Sequence, residues 1–284
     1  MKISKQMCSL LLFAVLAAGT ACESSNEFSP KDLNDLLANA IGAREYVLKS
    51  NIDLVMQDGE NTLLGADCAE ELVIDGQGTA TITAVGEINN IIKANSQAML
   101  VMKNVKIIDE TTGEGGYGWY ANYLDWGGNL RFENCVFDCS IFLTDTNARF
   151  QNCQFISKAD NLYSVWVGDG SATFENCTFT GYRGLKIHDS GTNADVVSVT
   201  VDGCLFDNLS VKPGLAIGSV WKDVTSTFIT VKNCTFNGCQ PWDQIGSVEG
   251  VDGVYESDTL SKSETVDYGF VFTLENNEVK RSNE

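Results

Sequence analysis

The sequence predicts an all-β fold, a right-handed single-stranded parallel β-helix solenoid, and three observations predict it. The first is a phrase repeated five times: an aromatic or β-branched residue, any residue, Asn or Gly, Cys, any residue, Phe. The copies are Phe132-Glu133-Asn134-Cys135-Val136-Phe137, Phe150-Gln151-Asn152-Cys153-Gln154-Phe155, Phe174-Glu175-Asn176-Cys177-Thr178-Phe179, Val201-Asp202-Gly203-Cys204-Leu205-Phe206 and Val231-Lys232-Asn233-Cys234-Thr235-Phe236. Degenerate copies flank them, Met102-Lys103-Asn104-Val105-Lys106-Ile107 before and Leu274-Glu275-Asn276-Asn277-Glu278-Val279 after. Repetition of this kind means that one structural unit is stacked on itself. The second observation is the period of two inside each phrase, which puts Leu130, Phe132, Cys135 and Phe137 on one face and Arg131 and Glu133 on the other. The third is the Asn-to-Asn spacing, which drifts through 18, 24, 27 and 30 residues while the phrase holds constant. Constant strands with loops of changing length are what a solenoid tolerates.

Taken along the chain, residues 1–22 read as a secretory signal: Lys2 and Lys5, an apolar run over 10–18, then Gly19-Thr20-Ala21-Cys22. The run is too short to span a membrane. Its end on Cys22 after small residues resembles a bacterial lipoprotein processing site, with Cys22 as the lipidated residue. Gly19 stands where that pattern usually has Leu, so cleavage by an ordinary signal peptidase stays open. A polar tether follows over 23–30, and 31–284 form the β-helix domain. Ser29 and Pro30 start a helix expected over 33–43, which would cap the open first turn. That first turn includes Leu72-Val73-Ile74-Asp75-Gly76.

In each phrase the Asn turns the chain between two short strands, because its side chain bonds nearby backbone and tolerates positive φ. Gly203 in the same slot meets the same demand. A third strand follows: Ile141-Phe142-Leu143, Ser164-Val165-Trp166-Val167, Leu185-Lys186-Ile187 and Leu215-Ala216-Ile217. The competing architecture, a sandwich of two facing sheets, would want Asn-Gly hairpins, whereas here the Asn precedes a Cys of buried type.

Composition narrows the partners. The chain carries 19 Lys and Arg against 38 Asp and Glu; without Lys2 and Lys5 that is 17 against 38, a mature charge of about −21. Nucleic acid and anionic lipid are disfavoured, and a membrane is reached only through the lipid anchor. Of ten Cys, Cys8 leaves with the signal and Cys22 takes the lipid. The five repeat cysteines are read as buried thiols pointing into a core, not as bridges. No Cys-x-x-Cys occurs, which argues against zinc.

The third strand is the candidate binding row. Its outward positions give Tyr123, Phe142, Trp166, Lys186 and Ala216, and the next row gives Asp125, Thr144, Gly168, His188 and Gly218. Aromatics beside a cation suit a sugar chain, which stacks C–H faces on rings and offers hydroxyls or carboxylates to Lys186. The plainer reading is an aromatic ladder that stabilises the sheet. Tyr182-Arg183-Gly184-Leu185-Lys186-Ile187-His188-Asp189 concentrates positive charge and holds the lone His. Arg183 and Lys186 could neutralise a uronate carboxylate and take its α-proton, with His188 or a tyrosine protonating the leaving oxygen; the plainer reading is surface pairing with Asp. Asp145, Asp169 and Asp189, with Asp125 as a further candidate, form an acid row at the strand ends, spaced as a Ca²⁺ site can use. The first three also precede Thr, Gly or Ser, which is ordinary turn chemistry. The segment around Trp242-Asp243 and the acidic insertion over 249–258 are long enough to border the row.

The stacked Asn-Cys-x-Phe rungs, over about 70–280, are similar to the right-handed β-helix, pectate-lyase-like superfamily. The segments 182–189, Lys212-Pro213-Gly214-Leu215-Ala216-Ile217-Gly218 and 233–240 resemble exported β-helix lipoproteins of gut bacteria. That superfamily mixes lyases, hydrolases, binding modules and adhesins, so the resemblance implies a fold and not an activity. The Arg-x-Pro-x-x-Arg stretch of pectate lyases and the Asp-Asp and Gly-His-Gly of polygalacturonases are absent, and Arg183-Gly184-Leu185-Lys186 only loosely echoes an Arg-Ile-Lys. The expectation is an exported, lipid-anchored monomer on the bacterial outer membrane or cell surface, or a secreted one, that binds polysaccharide or a surface glycan without catalysis. A divergent polysaccharide lyase and an adhesive spacer are the alternatives. No cofactor is required beyond the Ca²⁺ that the acid row could hold.

Overall fold

A computed structural model describes residues 26–28, 44–56, 62–63, 70–86, 91–94, 98–111, 123–159, 162–168, 170–187, 197–210, 214–217, 227–239, 241, 264–266 and 270–280. The chain winds in coils of three strands. The first-strand stack runs Arg44–Leu48, Glu71–Asp75, Met99–Lys103, the second halves of Tyr123–Glu133 and Ser140–Gln151, then Gly170–Glu175, Val197–Asp202, Thr227–Lys232 and Phe270–Glu275. The second stack holds Ile52–Met56, Thr81–Gly86, Lys106–Asp109, Val136–Asp138, Gln154–Ser157, Thr178–Gly181, Leu205–Asp207, Thr235–Asn237 and Glu278–Lys280. The third comprises Thr62–Leu63, Ile91–Lys93, the first halves of Tyr123–Glu133 and Ser140–Gln151, then Tyr163–Val167, Arg183–Ile187 and Leu215–Ile217. Every pairing between coils is parallel; Glu264–Val266 alone among the described strands runs antiparallel, on Phe270–Glu275.

The coils begin earlier than Leu72. Arg44–Leu48 already pairs with Glu71–Asp75, and Asn26–Phe28, inside the segment read as a tether, pairs with Arg44–Leu48. These turns carry no Asn-Cys phrase, so the repeat could not announce them. The helix expected over 33–43, the signal over 1–22 and Cys22 lie outside the described residues. Among the described residues the strands stack coil on coil and the two facing sheets of a sandwich do not form.

The Asn corner is built as its chemistry requires. Asn104, Asn134, Asn152, Asn176, Asn233 and Asn276 hold φ between 52° and 56°, and Gly203 holds 64°. Their side chains form a ladder: Asn152 Nδ2 donates to Asn134 Oδ1 at 3.3 Å, Asn134 Nδ2 to Asn104 Oδ1 at 3.1 Å, and Asn104 Nδ2 to Asp75 Oδ1 at 3.0 Å. Each local amide therefore satisfies the next coil's, which offsets the cost of a left-handed non-glycine residue.

Inside, two phenylalanine stacks run along the axis. Phe132, Phe150 and Phe174 lie with centroids 5.0 and 4.9 Å apart and rings within 6° of parallel. Phe137, Phe155, Phe179, Phe206 and Phe236 continue a second stack at 4.6–5.0 Å. Edge-to-face contacts such as Phe150 to Phe155, at 5.3 Å and 70°, lock the stacks together. The repeat cysteines are buried and free, and each thiol donates to a carbonyl of the preceding coil: Cys135 to Met102 at 3.3 Å, Cys153 to Phe132 at 3.5 Å, Cys204 to Phe174 at 3.5 Å. A small side chain with a weak donor fits that slot.

The remaining corner joins a third strand to the next first strand without interrupting the sheet. Tyr123–Glu133 and Ser140–Gln151 each turn it as one strand, with a register break at Gly127/Gly128. Asp145 adopts φ 50° there and Gly170 adopts 87°. A Cβ on Gly170 would lie 2.2 Å from the Thr146 carbonyl oxygen, so glycine is required.

Candidate functional site

The third-strand stack brings Phe142, Trp166 and Lys186 onto consecutive rungs. Phe142 pairs with Trp166, Trp166 with Lys186 and Lys186 with Ala216. Their inward neighbours Ile141, Val165 and Leu185 fill the core, which fixes the three side chains on the outer face.

Tyr123 does not stand in that row. It pairs with Ser140, and Asp125 takes the place opposite Phe142. The expected order of the first two rows is therefore corrected by two residues at this coil: Asp125, Phe142, Trp166, Lys186. The register break at Gly127/Gly128 and the lack of a Cys phrase before residue 130 hid the shift. Tyr123 remains in the cluster through its ring, which is 2% exposed and meets Trp166 edge-on at 5.8 Å. Its hydroxyl accepts from the Tyr163 backbone N–H at 3.1 Å.

Trp166 is the hub. Phe142 approaches it at 5.7 Å and 80°, Tyr163 at 6.4 Å and 71°. The rings meet edge to face, so they form a ridged, half-buried surface and not a flat platform. Gly168 makes room for Phe142, since a Cβ there would sit 2.7 Å from the ring.

The cations are held by these rings. Lys186 Nζ lies 5.0 Å from the Trp166 centroid and 5.5 Å from that of Tyr163. The Arg183 guanidinium lies 5.1 Å from the Tyr163 centroid, and Nη1 donates to the Tyr163 hydroxyl at 3.2 Å. Tyr163 was not found by period-two reasoning, because the corner brings it beside a row it does not belong to. Burial, then the charge of Arg183, lowers the Lys186 pKa. Elsewhere on this acidic surface cations pair with acids: Lys106 and Lys158 both hold Asp138, at 2.8 and 2.9 Å, and Arg149 holds Glu175 at 2.8 Å. Among the described residues no carboxylate lies within ion-pair distance of Lys186. An ammonium stacked on rings and left without an acid is suited to an anionic or hydroxyl-rich partner.

At the other end of the row Asp125 is half-buried. Its Oδ1 is inaccessible and has no hydrogen-bond partner among the described residues. Desolvation pushes its pKa up to about 7. Of the acid row, Asp145 occupies the left-handed corner and is exposed, as turn chemistry demands. Asp169, Asp189 and His188 lie outside the described residues, as do Trp242, Asp243 and the insertion over 249–258. No group of three potential metal ligands occurs among the described residues.

Stacked coils of three parallel strands, bearing an aromatic and cationic outer row, define a β-helix protein. Residues 127–283, just over half the chain, match the family described as right handed beta helix region, and the chain belongs to that family. No curated protein and no solved structure matches it.

Proposed function

We propose that this β-helix binds polysaccharide without catalysis, through the third-strand face, as an exported protein anchored by lipid at Cys22. The observation that carries the reading is Lys186 stacked over Trp166 and Tyr163 with Phe142 on the adjoining rung. Pyranose rings offer C–H faces to such aromatic surfaces, and their hydroxyls or carboxylates suit the ammonium and the Arg183 guanidinium beside it. Four rungs of this face span roughly 14 Å, three steps of the interstrand repeat, which suits an extended chain of several sugars.

The test is a glycan array of neutral and acidic polysaccharides, followed by calorimetry on positive ligands. Trp166→Ala removes the hub and is expected to weaken binding by about tenfold or more, the loss of roughly 1.4 kcal/mol or greater. Binding unchanged by Trp166→Ala overturns the assignment. The mass of the mature protein tests the anchor: an unmodified Cys22 overturns it.

A lyase reading draws support from the lowered pKa of Lys186, which leaves a larger share of free amine to accept a proton than a solvated lysine has. Release of an unsaturated, ultraviolet-absorbing product from uronate polymers, abolished by Lys186→Ala, would establish it over non-catalytic binding.

A further inference from the structure

The row that carries the proposed glycan site ends on a group the site has not yet used. Asp125 stands one rung from Phe142, two from Trp166 and three from Lys186. Its own strand turns Leu124 and Trp126 into the core on either side, leaving its carboxyl on the same outer face as the aromatics. The strands that flank it place Ile91 and Phe142 directly opposite. On those two strands the charged residues are Lys93, opposite Gly127 and so two positions along, and on the far side Asp145 and Arg149, at and beyond the corner. On its own strand Arg131 and Glu133 lie past the Gly127/Gly128 break, and Arg131 is occupied by Glu71 and Glu133. Among the described side chains none pairs with the carboxyl, and its Oδ1 has neither water access nor a hydrogen bond among the described residues. A carboxylate in such a position is costly, whereas a carboxylic acid is tolerated and has a proton to donate.

We propose that Asp125 is the specificity-determining hydrogen-bond donor at one end of the glycan face, acting as a neutral acid toward an acceptor oxygen of the bound sugar. This rests on the polysaccharide-binding reading and adds the protonation state of the site. A ligand lying along the row displaces more water from Asp125, which further disfavours the anion. Binding then takes up a proton when Asp125 is ionised in the free protein. Desolvation alone sets its pKa at about 7. Affinity should thus be full in mild acid and decline as pH rises through 7. Because only the neutral fraction is competent, the loss between pH 5.5 and 8.5 approaches about 30-fold.

The experiment measures binding of xylohexaose and of hexagalacturonate by calorimetry at pH 5.5, 6.5, 7.5 and 8.5, in buffers of different ionisation enthalpy. Wild type should weaken toward pH 8.5 with proton uptake near and above pH 7. Asp125→Asn, whose amide donates at every pH, should abolish that dependence, and Asp125→Leu should weaken binding at pH 5.5. Lys186→Ala should leave the slope of the profile in place. Binding that Trp166→Ala removes but pH does not alter overturns the role of Asp125 and spares the glycan site. A slope that persists in Asp125→Asn does the same. Failure of both sugars to bind wild type at every pH overturns both.

Discussion

Phe179→Ala puts the stacked core to the test. Phe179 is fully buried, stacks on Phe155 at 4.9 Å and Phe206 at 4.6 Å, and meets Phe174 edge-on at 5.8 Å. Emptying a packed phenylalanine site costs about 3–5 kcal/mol through lost transfer energy and the cavity left behind. Three ring contacts, each worth about 0.5–1.5 kcal/mol beyond area, place this site in the upper half of that range. Phe179→Leu keeps most of the apolar volume and loses the stacking, for about 1.5 kcal/mol or somewhat more. Phe228 is 41% exposed on the outer face, so Phe228→Ala should stay within about 0.5 kcal/mol of wild type and serves as the control. Urea unfolding reads all three, and a midpoint shift of about 1–2 M is expected for Phe179→Ala with an m-value near 2–3 kcal/mol/M. Coils contact only their neighbours, so hydrogen exchange should rise first in the coils around residues 155, 179 and 206. If Phe179→Ala and Phe228→Ala unfolded at the same urea concentration, the stacked core would not be what holds the coils together.

Three further outcomes follow from the corners and the surface. Gly170→Ala forces a Cβ to within 2.2 Å of the Thr146 carbonyl at φ 87° and should lower stability by about 1–3 kcal/mol or more, seen as a drop in Tm. Asn152→Gly keeps the left-handed backbone and loses the bond to Asn134, so it should cost less than Asn152→Ala, which loses both; the gap should be about 1 kcal/mol by urea unfolding. Burial raises the Asp138 carboxyl, but hydrogen bonds and charge from Lys106 and Lys158 outweigh it and hold the pKa below the ordinary value. Its contribution is present above the unfolded carboxylate pKa and is lost as pH falls through the lower folded value, so Asp138→Asn should flatten the acid limb of stability against pH.

The sequence disclosed the rungs because each conserves a chemical demand that only a few residues satisfy. Asn134, Asn152, Asn176 and Asn233 occupy left-handed corners, Gly203 replaces them where a Cβ would press on Asn176, and the paired Phe positions stack as the period of two implied. The row from Phe142 through Trp166 to Lys186 followed from counting forward from those corners. Counting backward failed at Asp125, because Asp145 is left unpaired between Thr144 and Thr146 opposite Gly127 and Gly128, a register change that no local pattern records. The turns at Arg44–Leu48 and Ile52–Met56 were missed since plain aliphatic residues fill their core positions. Edge-to-face packing around Trp166, and the seat of Arg183 on Tyr163, depend on side-chain angles that spacing does not encode.

Ser140–Gln151 crosses a corner as one continuous strand, and residues 134–151 make up one complete winding. Each winding contributes a single graduation to the outer row, so the row is built like a ruler whose markings are added or removed a whole winding at a time, eighteen residues in this one and 24 to 30 in those that follow. Excising that winding would slide Asp125 up against Trp166 and shorten the scale by one notch without disturbing how neighbouring windings nest. On the proposed glycan reading, ligand length would then be inherited by duplication and deletion, independently of the chemistry at either end.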